Sequence, residues 1–121
     1  MFVVAPNATD QRLASVCAAA SGMVYAPATT GVTGSQGPLH PGLPAFVDRL
    51  RTLTHLPVGV GIGVSTAQQA ALVGTYADAV IVGSAFIRAI EATPGPAGAL
   101  QAALLAQHLA DGLLRSRPAA A

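Results

Sequence analysis

Four short apolar runs alternate along the chain with stretches whose apolar residues recur at helical spacing. The runs are "FVVA" (2–5), "MVYA" (23–26), "PVGVG" (57–61) and "AVIV" (79–82), each closed by proline, glycine or a polar residue. After the first, Leu13, Val16, Cys17 and Ala20 fall at i, i+3, i+4 and i+7, which predicts a helix with one apolar stripe. Asn7 or Thr9 is suited to cap it, and Gly22 lies just past its end. Phe46, Val47, Leu50 and Leu53 predict a second helix, with Pro44 suited to its first position. In "STAQQAALVGTYA", Ser65 with Gln68 three residues on predicts a capping box. "SAFIRAIE" (84–91) predicts a short helix ahead of a long last one in "GPAGALQAALLAQHLADGLLRS", and "RPAAA" a frayed tail.

The pattern is (βα)4. Continuous apolar strands, rather than alternating ones, fit a parallel sheet covered by helices. Two architectures satisfy it: an open doubly wound sheet, or half of an eight-stranded βα barrel. A strand starting at Phe2, after Met1 alone, reads as a boundary cut between units, which favours the half barrel. The expected domain is 1–117, with 118–121 as tail.

Composition narrows the partners. Of 121 residues 52% are hydrophobic and only 9% charged, against about 25% charged in an ordinary soluble domain. So little charge implies that some of the surface rests against other protein. A net charge of +1 without a Lys/Arg cluster gives no reason to expect nucleic acid or an anionic membrane. No apolar run approaches the roughly 18 residues of a membrane span. One cysteine, Cys17, excludes an internal disulfide and fits a reducing compartment; the expected location is cytoplasmic. Cys17 lies on the first helix's apolar stripe and reads as a core residue. His40, His55 and His108 share no metal-ligand spacing, and nothing in the chain calls for a metal or a cofactor of its own.

The chemistry collects where strands give way to helices. In both architectures the functional rim is the carboxyl edge of the strands. Gly31 and Gly34 follow the second run, Gly61 and Gly63 the third, and Gly83 the fourth. Gly63 and Gly83 stand before predicted helix starts, where free N–H groups and the helix dipole favour an anion and no Cβ blocks its approach. Ser84 adds a hydroxyl, as phosphate donor or helix cap. The competing reading is ordinary turn chemistry, since glycine and serine are common at such junctions. Neither a P-loop nor a G-x-G-x-x-G fingerprint is present.

"GVTGSQG" within the long 27–42 loop, "PVGVGIGVSTAQQAA" and "ADAVIVGSAFIRAI", in this order and spacing, resemble the tryptophan synthase alpha subunit. "FVVAPNATDQRL" is similar to that family's fifth barrel strand and following helix, so the likeness covers strands five to eight of a (β/α)8 barrel. The resemblance implies a lyase of tryptophan biosynthesis. It cleaves indole-3-glycerol phosphate by a retro-aldol step to indole and glyceraldehyde 3-phosphate, and passes indole to a beta subunit carrying pyridoxal phosphate. It further implies that Gly34, Gly63, Gly83 and Ser84 hold the phosphate, and that Thr33 orders the closed loop. Tyr25 would face the substrate, while Ile62 and Ile81 line the indole pocket.

The chain departs from that pattern. Ile62 stands where the family usually has Phe, and Pro27 enters the loop in place of a more typical strand residue. The family's catalytic Glu and Asp belong to the first half of the barrel. The acids here are Asp10, Asp48, Asp78, Glu91 and Asp111, on helix surfaces, at a strand's amino end or at a helix end, so none is placed as a general base. The expectation is a chain that binds phosphate weakly and does not catalyse alone. Four strands also leave two open edges, which implies pairing with a missing amino-terminal half or self-association. Three alternatives stand beside the fragment reading: a non-catalytic phosphate-binding half barrel, a split-enzyme partner that touches a beta subunit through 27–42, and a piece of another phosphate-binding barrel.

Overall fold

The structure is a computed structural model describing residues 1–28, 41–61 and 64–116. The elements run β1 (Phe2–Val3), α1 (Asp10–Ala19), β2 (Val24–Pro27), α2 (Leu43–Arg51), β3 (Val58–Gly61), α3 (Ala67–Gly74), β4 (Ala79–Val80), α4 (Ser84–Ala92) and α5 (Pro96–Ser116). All strand pairs are parallel and the spatial order is β1-β2-β3-β4. That order separates the two architectures. A doubly wound sheet reverses direction at a switch point, whereas right-handed crossovers taken always in one direction put every helix on the same face. This is the sequential winding of a barrel, and four strands are half of one.

The core lies between the sheet and its helices. Val4, Val24, Ala26, Val58 and Val60 meet Leu13 and Cys17 of α1, Leu43, Phe46, Val47 and Leu50 of α2, and Ala70 and Val73 of α3. Val24, Val47, Leu50, Val58, Val60 and Val73 are fully buried, each a side chain whose burial is worth about 1.5–3 kcal/mol. α5 packs on α3 and α4. A Cβ at its Gly112 would lie 2.6 Å from the Ala67 carbonyl oxygen, so the absent side chain permits the close crossing onto α3. Two arginines of α2 tie loops to this layer. Arg49 pairs with Asp10 and donates to the carbonyls of Pro6 and Ala8. Arg51 pairs with Asp78 and donates to the Tyr76 carbonyl.

Several local expectations shift by a residue or more. Thr9, not Asn7, caps α1, accepting from Arg12 N at 3.2 Å. Pro44 is the second helical residue because α2 begins at Leu43. The capping box at α3 is Thr66 with Gln69, not Ser65 with Gln68, since the helix begins at Ala67. The first and fourth runs form only two-residue strands, so Val4, Ala5, Ile81 and Val82 continue beyond them. The predicted tail falls outside the described residues.

Candidate functional site at the carboxyl edge

Successive strand residues face opposite sides, so with Val24, Ala26, Val58 and Val60 under the helices, Tyr25, Gly59, Gly61 and Ile81 share the other face. This face is built on absent side chains. A Cβ on Gly61 would lie 2.6 Å from the Tyr25 hydroxyl and 2.7 Å from Ile81 Cβ. One on Gly59 would lie 2.7 Å from Met23 Sδ. The glycines of β3 therefore form a floor over which β2 and β4 bring Tyr25 and Ile81 together. Tyr25 pairs in register with Gly59, yet its hydroxyl reaches Gly61, so its side chain leans toward the carboxyl edge. Pro27 ends β2 opposite Gly61, and the Ala28 amide donates to the Gly61 carbonyl, so the ladder survives the proline. Ile81 N donates to Val60 O at 2.7 Å, carrying β4's pairing one residue further toward α4.

Two helices start near this edge, and their first turns differ. At α3, Gln69 Oε1 accepts from Ser65 N at 2.8 Å and from Thr66 N at 3.3 Å, while the Thr66 hydroxyl accepts from Gln69 N at 3.1 Å. These bonds form a side-chain cap just before and within the first turn, and the amides of Ala67 and Gln68 have no acceptor among the described residues. At α4 the N-cap is Gly83, with no side-chain cap and no acid in the first turn. Its carbonyl accepts from Phe86 N and Ile87 N. Among the described residues the amides of Ser84 and Ala85 and the Ser84 hydroxyl have no acceptor. Among the described residues a Cβ on Gly83 would meet nothing within 4 Å, and its φ of −123° is open to any residue. Neither packing within the described chain nor backbone conformation requires glycine there.

Tyr25, Ile81, Gly83 and Ser84 thus lie along one rim. Thr33, Gly34, Ile62 and Gly63 fall outside the described residues. Gly61 and Gln69 were not among the predicted site residues. The two-residue period from Tyr25 marks the first, but only the position of the cap marks the second. None of the five acids stands on this rim. Asp10 pairs with Arg49, Asp111 accepts from Gln107, and Asp48 and Glu91 are exposed on helices. Asp78 sits at the amino end of β4, its carboxyl held below the ordinary aspartate range by the Val58 amide and, secondarily, Arg51. Burial raises the Cys17 thiol above its usual value, which suits an inert core residue. A groove of about 660 Å³ between α4 and α5 begins beside the two helix starts, with Ser65, Ala85, Arg88, Gln101 and His108 on its walls.

The model of the family "Tryptophan synthase alpha chain" matches residues 1–113. The chain belongs to the tryptophan synthase alpha chain family. The alpha chain of Mycobacterium avium is 45% identical over 99% of this chain and 42% of its own length. That of Acidothermus cellulolyticus is 48% identical over 95% of this chain and 43% of its own. Tryptophan synthase of Mycobacterium tuberculosis superposes with a TM-score of 0.78 at 41% identity, covering 93% of this chain and 40% of the solved one. The alpha chain of Legionella pneumophila gives 0.70 at 28% identity. The present chain thus spans about two fifths of the alpha chains it matches. Its four parallel strands are a partial tryptophan synthase alpha barrel, in agreement with the winding of the sheet.

Proposed function

We propose that this chain supplies the phosphate-binding side of an alpha-chain barrel and holds the phosphate of indole-3-glycerol phosphate at the start of α4. The uncapped first turn of that helix supports the reading: among the described residues the amides of Ser84 and Ala85 have no acceptor, the Ser84 hydroxyl is unengaged, and nothing stands before Gly83. A phosphate there gains charge-assisted hydrogen bonds and the favourable end of the helix dipole. Ile81 and Tyr25, on the adjoining strands, face the indole glycerol. Gly34, Gly63, Thr33 and Ile62 complete the phosphate loop and indole wall. In the whole barrel, retro-aldol cleavage needs groups that move protons at the glycerol hydroxyl and the indole ring. All five acids of this chain stand away from the rim, so the chain alone binds without turning over. The 27–42 loop reaches a beta subunit in the assembled enzyme, which works in the cytoplasm. No helix among the described residues is long and apolar enough to cross a membrane.

Titration with indole-propanol phosphate and, separately, inorganic phosphate tests the reading. Tighter binding of the indole ligand is expected, with indole released from indole-3-glycerol phosphate only after an amino-terminal half barrel is added in trans. Equal affinities would reduce the site to a general phosphate site of a non-catalytic half barrel. Turnover by the 121-residue chain alone would contradict the proposal.

A further inference from the structure

α4 and α5 face each other across the groove of about 660 Å³, which the phosphate site does not use. Ala85, Arg88 and Ala89 recur at i, i+3 and i+4 on α4, so one wall is a single helix face. The other is a face of α5, with Gln101, Leu104, Leu105 and His108 at i, i+3, i+4 and i+7. Two close backbone approaches fix the frame. A Cβ on Gly98 would lie 2.5 Å from the Thr93 carbonyl oxygen and 2.8 Å from that of Ile90, which locks the start of α5 against the end of α4. Gly112 crosses as closely over Ala67 at the start of α3. The groove residues of α5 lie between these two contacts, so packing among three helices shapes the walls, and no strand edge takes part.

The lining carries two kinds of chemistry. Ala85, Ala89, Leu104 and Leu105 are apolar, while Arg88, Gln101 and His108 offer N–H donors. Arg49 and Arg51 each spend their guanidinium on an aspartate and on backbone carbonyls. Arg88 is half-buried and has no ion pair or hydrogen bond among the described residues, and neither Gln101 nor His108 has one. No acid stands on the groove's described walls, and Glu91, three residues past Arg88, is exposed and pairs with nothing described.

We propose that this groove binds a small organic carboxylate with an apolar body. The carboxylate takes the planar fork of Arg88, supported by Gln101 and His108, and the body lies along the alanine and leucine positions. One fixed positive charge matches a single negative one, which favours a carboxylate head over a doubly charged phosphate. The volume falls in the range of about 300–1,000 Å³ of small-molecule sites. The inference does not rest on phosphate at the start of α4.

Fluorescence titration of the 121-residue chain with 2-naphthoate tests it, since the chain has no tryptophan to overlap the probe. Saturable binding is expected, at least about tenfold tighter than for 2-naphthylmethanol, which lacks the charge, and with no displacement by equimolar acetate, which lacks the body. Arg88→Gln and, separately, Leu104→Asp weaken it at least about tenfold. Leu104 is 54% exposed, so circular dichroism stays unchanged. Gly83→Asp, aimed at the phosphate mouth, changes it by less than about threefold, as a screened surface charge does. Equal affinity for acid and alcohol, or indifference to Arg88→Gln, would overturn the proposal. Loss of binding in Gly83→Asp alone would also overturn it, by placing the probe in the phosphate and indole site, and would leave the proposed function standing. An amino-terminal half barrel of a relative, added in trans, leaves the affinity unchanged; displacement of the probe would assign the groove to the rest of the barrel and sink the proposal.

Discussion

α3 and α4 both begin at the carboxyl edge behind a strand and a glycine, and they use their first turns in opposite ways. α3 carries a side-chain cap, in which Gln69 and Thr66 take the amides of Ser65, Thr66 and Gln69, while the amides of Ala67 and Gln68 have no acceptor among the described residues. α4 has a glycine for a cap and keeps the donors of Ser84 and Ala85 unspent among the described residues. One entrance has a side-chain cap and the other has none, and it is the uncapped one that we propose takes a guest. A strand followed by glycine and a helix does not by itself make an anion site; the difference between the two entrances is whether a side-chain cap occupies the mouth.

The largest effect is expected between the two entrances, at Gly61. Gly61→Ala places a methyl 2.6 Å from the Tyr25 hydroxyl and 2.7 Å from Ile81 Cβ. Overpacking of this kind costs about 1–3 kcal/mol, read as a lower denaturation midpoint at unchanged m-value. Tyr25→Phe in the same chain should recover part of the loss by removing the nearer atom. Next, Gly83→Asp gives α4 the cap it lacks. The carboxylate takes the first-turn donors and repels phosphate, so affinity falls at least about tenfold, a difference of about 1.4 kcal/mol, while the melting temperature rises. If α4 binds no anion, only the melting temperature will move. Thr66→Ala is the mirror experiment. It should cost about 1 kcal/mol of stability at α3 with phosphate affinity unchanged, and a loss of affinity would show that the two entrances act together.

The smallest effect is electrostatic and lies far from both. The Val58 amide and Arg51 hold the Asp78 carboxyl low in the folded chain. Its contribution is therefore complete above the unfolded value of about 3.9 and is lost as pH falls from there through the lowered one. Asp78 and Arg51 are 41% and 40% exposed, so screening limits the pair to under about 1 kcal/mol. Asp78→Asn should flatten that acid limb of a stability–pH curve and leave the neutral region nearly unchanged.

Apolar runs and helical spacing were enough to read (βα)4 from the sequence, because burial under one helix layer imposes both periods. Strand order was not legible from that alternation, since a doubly wound sheet and a barrel half share it and differ only in which distant strands pair; the family likeness pointed to the barrel half that the observed strand order shows. The capping box slipped by one because Ser65–Gln68 and Thr66–Gln69 have the same spacing, and only the first helical residue, Ala67, distinguishes them. Tyr25 and Ile81 were named from the family likeness, and the structure puts both on the sheet face away from the helices. The requirement for Gly61 appears only once β2 and β4 lean over it from both sides. The arginine ties from α2 join residues 27 and 39 positions apart, a separation that no local pattern encodes.

Amide chemical shifts during a phosphate titration of the 121-residue chain test the central claim most directly. The account predicts saturable shifts at Ser84 and Ala85, with Ser65 and Thr66 unmoved. Shifts at Ser65 and Thr66 alone, or none at Ser84 up to saturating phosphate, would contradict it.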